Sequence, residues 1–309
     1  MAADRPTAER AGLAAAREAL VERDEGEVRR DQVAIEEPLE IRVDGEALVV
    51  TMRSPGAEEE LALGYLYAEG WIEGAGDVAD VDAGPAARPD RRPAIPANDE
   101  TPLVPGAVVD VRLSAQGRER SGRRADAGER ERAFRVTSAC GVCGKPSLED
   151  LWVRLPAIRP LDLPPDRERR LVRELPAAMR VRQDLFGDTG GVHAAALFEV
   201  DDGPVELLWL YEDIGRHNAV DKIVGRALQA GRLPLDSTIL AVSGRLGFEI
   251  VQKAAVAGIP TVAAVGAPSS LALDIAHLAG IRVYAFVAGD RGNLYPPAPV
   301  ETHLVSRAD

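Results

Sequence analysis

Lysine is nearly absent from this chain. Lys145, Lys222 and Lys253 are the only three in 309 residues, although lysine and arginine together number 37. Such a bias looks like that of a GC-rich genome, which makes the survivors informative. An ammonium is a compact point charge with an adjustable pKa, and a guanidinium is neither. All three stand in motif-like surroundings, "CGVCGK", "NAVDK" and "EIVQK". Cysteine is rarer still, with Cys140 and Cys143 alone. Two thiols so close together do not make a disulfide scaffold, so functional thiols in a reduced, cytoplasmic setting are expected. Aromatics make up 4% against 46% hydrophobic residues, so the core is mostly aliphatic and a disordered chain is excluded.

Positive charge is also short. The net charge of -13 opposes binding to nucleic acid or an anionic membrane, so an anionic ligand needs a local positive site. The most apolar stretch, residues 259–288, is broken by Pro260, Pro268, Asp274, His277 and Arg282. A membrane span needs about 20 continuous apolar residues, so none is expected. The first twenty residues mix both charge signs and lack the apolar region of a secretory signal.

What is present falls into three parts. Residues 1–30 are rich in Ala, Glu and Arg and read as a charged extension, either a helix or a frayed arm. Residues 31–160 read as an α+β domain. In it, Asp44-Gly45 between two alternating runs signals a type I′ hairpin. "AEEELALGYLYAEG" reads as a helix with acidic residues in its first turn and Gly70 at its end. Residues 73–131, dominated by Pro, Gly, Asp and Arg, are expected to form long loops around one strand in "GAVVDVRLS". From residue 166 to 309, strand and helix patterns alternate with short glycine joints, which predicts an α/β domain with a mostly parallel sheet.

A CxxC pair has three common uses: half of a zinc site, a reversible disulfide, or a sulfur carrier. Structural zinc usually takes two such pairs, and the spacing of His193 and His217 matches no zinc pattern. "FRVTSACGVCGKPSLEDLW" reads as strand, CxxC, short helix. A thiol near a helix N-terminus and Lys145 has a depressed pKa, and its thiolate attacks disulfides or persulfides. Gly141 and Gly144 leave the thiols on a side-chain-poor loop. On the residues alone, redox exchange and sulfur transfer stay even.

Eight blocks in order carry a resemblance: "EEPLEIRVDG", "ALGYLYAEGWI", "TSACGVCGK", "TGGVHAAAL", "YEDIGRHNAVDKIVG", "SGRLGFEIVQKAAVAGIP", "GAPSSLALDIAHLAG" and "AFVAGDRGNLY". Over about residues 35–297 the chain resembles the formate dehydrogenase accessory sulfurtransferase (FdhD) family. The resemblance implies a cytidine-deaminase-like, three-layer C-terminal domain beside a smaller N-terminal α+β domain carrying the CxxC loop. It implies that a cysteine desulfurase loads sulfur onto Cys140 as a persulfide, with Cys143 assisting. The sulfur then passes to a molybdenum (or tungsten) bis-pterin guanine dinucleotide destined for formate dehydrogenase. It implies no resident metal, and a homodimer is common in such a family. Deaminase activity is not expected, because a zinc deaminase needs His-x-Glu and Ala195 stands two residues after His193.

Ligands of open α/β sheets bind beyond the carboxyl ends of the strands. Here those ends are Ser243–Arg245, Gly266–Ser270 and Ala288–Asn293. The resemblance places the dinucleotide on Phe286, Val287, Ala288, Gly289, Asp290 and Arg291, with Arg245 nearby. Gly247 and Ala288 depart from a serine and an arginine common in the family, and each removes a phosphate contact. Ser269 or Ser270 is expected to cap a helix. Arg216 and His217 open a helix, and their structural alternative to a site role is pairing with Glu212 and Asp213. His193, after a Thr-Gly-Gly turn, is a site candidate.

Overall fold

The computed structural model describes residues 15–22, 26–86, 106–126, 155–201 and 203–297. Cys140, Cys143 and Lys145 lie outside the described residues. Among the described residues there are three sheets.

The first is a two-stranded hairpin, β1 (Ala16–Glu22) and β2 (Val28–Ala34). From residue 16 on, it replaces the helix or arm expected of residues 1–30. Intrinsic propensity loses here to tertiary contact. Ala15, Ala16 and Ala34 at the base pack with Leu185, Phe186 and Val192, and Glu18 bridges to Arg30 on the facing strand.

The second sheet has the order β4-β3-β6-β5, from β3 (Glu37–Val43), β4 (Glu46–Arg53), β5 (Val78–Pro85) and β6 (Ala107–Leu113). Asp44 and Gly45 join β3 to β4 with φ of 49° and 82°, both in the left-handed region that a type I′ turn requires. Helix α1 (Glu58–Ala68) covers the sheet and buries Leu61, Leu63 and Leu66 against Leu39, Ile41, Val109 and Val111. The long loops expected over residues 73–131 are partly structured. β5 fills an edge beside β6, and α2 (Ala115–Asp126) follows directly. The β5 sequence is poor in strand formers, so pairing with β6 supplies what propensity does not. A capping signal for α2 was available: the Ser114 hydroxyl accepts from the Gly117 N–H at 3.1 Å.

The third sheet has six strands in the order β12-β11-β10-β9-β7-β8. They are β7 (His193–Glu199), β8 (Glu206–Asp213), β9 (Thr238–Val242), β10 (Thr261–Ala264), β11 (Arg282–Ala288) and β12 (Arg291–Tyr295). The parallel pairings are confined to β9–β10–β11; β7, β8 and β12 run antiparallel to their neighbours. Parallel strands need long crossovers, and only α6 (Phe248–Val256) and α7 (Ser270–Ala279) provide them, while β7–β8 and β11–β12 are hairpins. The sheet is therefore mixed around a parallel centre. Alternate residues face opposite ways. Ala195, Leu197, Leu240 and Val262 meet α6, α7 and α5 (Arg216–Gln229), whereas Ala196, Phe198, Ile239 and Ala263 meet α3 (Pro165–Arg180). This is the three-layer arrangement that the resemblance implied. Short α4 (Asp184–Thr189) leads into β7. No helix among the described residues is long and apolar enough to cross a membrane.

Two devices join the halves. Helices α1 and α5 cross on glycine: a Cβ at Gly64 would stand 1.9 Å from the Asp221 carbonyl oxygen, and one at Gly225 1.8 Å from that of Glu60. The second device is lysine. Lys222 Nζ lies 2.7 Å from Asp213 and 3.2 Å from the Ser54 carbonyl oxygen, with both side chains at most 2% exposed. Lys253 Nζ lies 2.6 Å from Asp221 and 5.6 Å from the Tyr65 ring centre. Burial pushes the Asp221 carboxyl up to about 7, with Lys253 pulling it down. Two of the three lysines are thus internal braces that tie β4 and α1 to α5 and α6.

Candidate functional site at the carboxyl edge of the six-stranded sheet

The loops after β9, β10 and β11 are stitched side by side. The Gly266 N–H donates to the Gly244 carbonyl at 2.9 Å, and the Phe286 N–H donates to the Gly266 carbonyl at 3.2 Å. Gly266 is needed for that seam, because a Cβ there would stand 2.8 Å from the Arg245 nitrogen. Arg245 and residues 286–291 are thereby brought to one edge, as expected from their positions after the strands.

At the β11 end the register shifts between Ala285 and Ala288, and β12 turns back after it. Phe286 sits in that shift with φ of 55°, a conformation that costs a non-glycine residue about 1–3 kcal/mol. The result is a phenylalanine 48% exposed to solvent. Ala288, Gly289, Asp290 and Arg291 are exposed around the turn. Val287 differs: its side chain is fully buried in the core, so only its backbone can meet a ligand. β12 was not legible in "RGNLY", which is too short and mixed to show alternation.

On the other side of β10 the edge is basic. His193 begins β7, and a Cβ on Gly244 would lie 3.2 Å from its Nδ1. Burial is the largest influence on His193 and holds its pKa below the usual 6.5; Arg216, His217 and Arg245 push the same way, and Asp213 opposes them. Arg216 and His217 open α5, whose N-cap Gly215 supplies no side-chain cap. The structural pairing with Glu212 and Asp213 is not the one formed. His217 Nδ1 is 2.7 Å from Glu249 in the first turn of α6. Glu212 instead accepts from the N–H groups of Leu185 and Phe186, each at 2.8 Å. Asp213 takes Lys222, the Ser54 and Gly215 N–H groups, and the Asn218 amide, so it holds the turn that presents Arg216. Arg216 Nε and Glu249 Oε1 are buried with no hydrogen-bond partner among the described residues.

A cleft of about 580 Å³ opens beside His193. Pro176, Met179, Arg180, Gln183, Phe186 and Val192 wall it from the α3–α4 side, and Ser243 and Val265 from the strand ends. It falls within the usual range for small-ligand sites. Ser269 is a helix cap, its hydroxyl accepting from the Ala272 N–H at 3.2 Å. Among the described residues no three His, Cys, Asp or Glu side chains form a group able to hold a metal.

Fold and site together define an α/β protein with a ligand-type edge at a parallel sheet centre, reached by loops from three strands. A family model described as the FdhD/NarQ family matches residues 34–299, and the chain belongs to that family. A sulfur carrier protein FdhD of Anaeromyxobacter dehalogenans is 47% identical over 275 residues, covering 86% of this chain and 87% of that one. Proteins of the same description from Streptomyces avermitilis and Mycobacterium tuberculosis are 44% and 42% identical. They cover 86% and 87% of this chain, and 88% and 91% of their own lengths. A crystal structure of a formate dehydrogenase accessory protein from Desulfotalea psychrophila superposes with a TM-score of 0.63 at 24% identity. It covers 92% of this chain and 97% of that one, which speaks for the fold.

Proposed function

We propose that this chain is a cytoplasmic sulfur carrier serving the maturation of formate dehydrogenase. The observation that carries this reading is the description shared by its relatives, sulfur carrier protein FdhD, at 42–47% identity, with Cys140 and Cys143 inside the matched span. A cysteine desulfurase is the donor. The Cys140 thiolate attacks the terminal sulfur of the donor's persulfide, the donor thiolate leaves, and Cys140 carries the sulfur with no net redox change. For release, the Cys143 thiolate attacks the Cys140 sulfur. A Cys140–Cys143 disulfide forms, the outer sulfur departs as sulfide with the bonding pair, and a dithiol reductant resets the pair.

The acceptor is a molybdenum or tungsten bis-pterin guanine dinucleotide, held as substrate at the carboxyl edge. Phe286 offers an aromatic face, Ala288, Gly289 and Asp290 an open turn, and Arg245 and Arg291 positive charge for phosphate. The chain length permits the two sites to meet. Leu155 packs on the core cluster to which α7 contributes, and the Ile158 N–H donates to the Ala279 carbonyl at the far end of that helix. Cys143 lies twelve residues before Leu155, which allows up to about 40 Å of extended chain. Helix α7 is about 15 Å long. A homodimer is the proposed assembly.

The test is intact mass after incubation with a cysteine desulfurase and cysteine. Wild type should gain one sulfur atom that reduction removes, and Cys140→Ala should gain none. A wild type that gains nothing, or a gain indifferent to Cys140, would sink the carrier reading in favour of thiol–disulfide exchange or cofactor delivery without sulfur.

A further inference from the structure

The residues assigned to the dinucleotide above are Arg245, after β9, and the end of β11 through its turn to the first residue of β12. The 580 Å³ cleft lies elsewhere, on the α3–α4 side, and His193 is the residue it shares with the basic cluster. We propose that this cleft receives the planar heterocycle of a phosphorylated ligand, with Arg216 and Arg245 beside His193 receiving its phosphates. This rests on the nucleotide reading and gives it an orientation.

Three observations support the assignment. First, the walls suit a flat ring. Pro176, Met179, Val192 and Val265 are apolar, and the Arg180 guanidinium lies 4.5 Å from the Phe186 ring centre. Guanidinium and aromatic planes are the surfaces on which bases and pterins stack. Gln183, only 6% exposed, adds an amide that both donates and accepts, as the edge of such a ring requires. Ser243 stands at the strand end of the cleft with its hydroxyl fixed by the Ala194 N–H at 2.8 Å.

Second, charge is distributed as such a ligand needs. The chain carries a net charge of -13, yet Arg216, Arg245, His193 and His217 gather at this edge. Two carboxylates of this neighbourhood are engaged, Asp213 by Lys222 and one oxygen of Glu249 by His217. Arg216 keeps a buried Nε that has no hydrogen-bond partner among the described residues. The N-caps of both α5 and α6 are glycines that give no side-chain cap, so neither helix start is closed by its own sequence. Third, a half-buried His193 biased toward the neutral form can meet the ring without adding charge to the apolar end.

The test uses calorimetric titration of the full-length protein with two probes, GDP and inorganic pyrophosphate. Arg180→Ala and Phe186→Ala should each weaken GDP about tenfold, the scale of one lost stacking contact, and leave pyrophosphate within about twofold. Arg216→Ala should weaken both probes. Circular dichroism checks that each variant is folded, and Phe186→Leu keeps the core filled if Phe186→Ala is not. The inference is overturned if GDP binds both cleft variants as it binds wild type, or if pyrophosphate falls in parallel with GDP in the Arg180 variant. Phe286→Ala separates the two ideas. GDP lost there and retained in the cleft variants leaves the nucleotide on the β11 turn and removes it from the cleft. Wild type that binds no GDP refutes both.

Discussion

Replacing Gly225 by alanine tests the joint that holds the site together. The new methyl carbon would stand 1.8 Å from the Glu60 carbonyl oxygen, 2.6 Å from its carbon and 2.8 Å from its Cα. Contacts under 3.0 Å to backbone are not tolerated, and no side chain is available to swing away. Helices α1 and α5 must therefore part by about 1 Å along a crossing that buries Leu61, Ile223 and Val224 among others. Alanine gains about 1 kcal/mol over glycine in helix propensity. Overpacking against backbone costs about 1–3 kcal/mol or more, and loosened contacts along two buried helices place this site at the upper end. A net loss of about 2–3 kcal/mol corresponds to a Tm lower by roughly 4–12 °C for a chain of this size. Gly187→Ala in α4 is the internal control. Nothing lies within 4 Å of a Cβ there, so only the propensity gain operates and the Tm should hold or rise. Thermal unfolding followed by circular dichroism reads both. A neutral or stabilising Gly225→Ala would refute the close crossing, and with it the account of how α5 is aimed at the edge.

Three further outcomes are expected. Lys222→Met should destabilise by about 3 kcal/mol in urea unfolding, because Asp213 is left buried with only neutral donors; a change below about 1 kcal/mol would show that the brace contributes little. His193 should titrate below 6.5 by NMR. A base held low in the folded state contributes stability that is complete above its unfolded value and fades as pH falls beneath it. Pyrophosphate should raise the midpoint by offsetting Arg216 and Arg245, and a midpoint at or above 6.5 in the free protein contradicts the environment described. Ser269→Ala should cost about 1 kcal/mol by removing the α7 cap, and a larger loss of GDP binding than of stability would give the hydroxyl a second role.

Some of this molecule was determined by local sequence. Asp44-Gly45 dictated the β3–β4 turn because both positions need positive φ. The alternation of strand and helix after residue 190 dictated the layers, because each element writes its burial period into its own residues. Strand ends then located Arg245 and Phe286–Arg291 on one edge. Other features depended on partners far away in the chain. "AREALVE" favours helix by its own composition and becomes a strand only where its base packs with α4 and Val192. β5 exists because β6 offers a free edge. Val287 and Phe286 are neighbours with opposite fates, core and solvent, because a register shift turns the backbone between strands. The motif-like settings of Lys222 and Lys253 marked them as unusual, but not as braces. Their carboxylate partners, Asp213 and Asp221, are nine and 32 residues away, and only the packing of α5 against β4, α1 and α6 removes water from both pairs. The cleft beside His193 is likewise a product of tertiary structure: its walls come from α3, α4, β7 and two strand ends, and no one segment carries its signature.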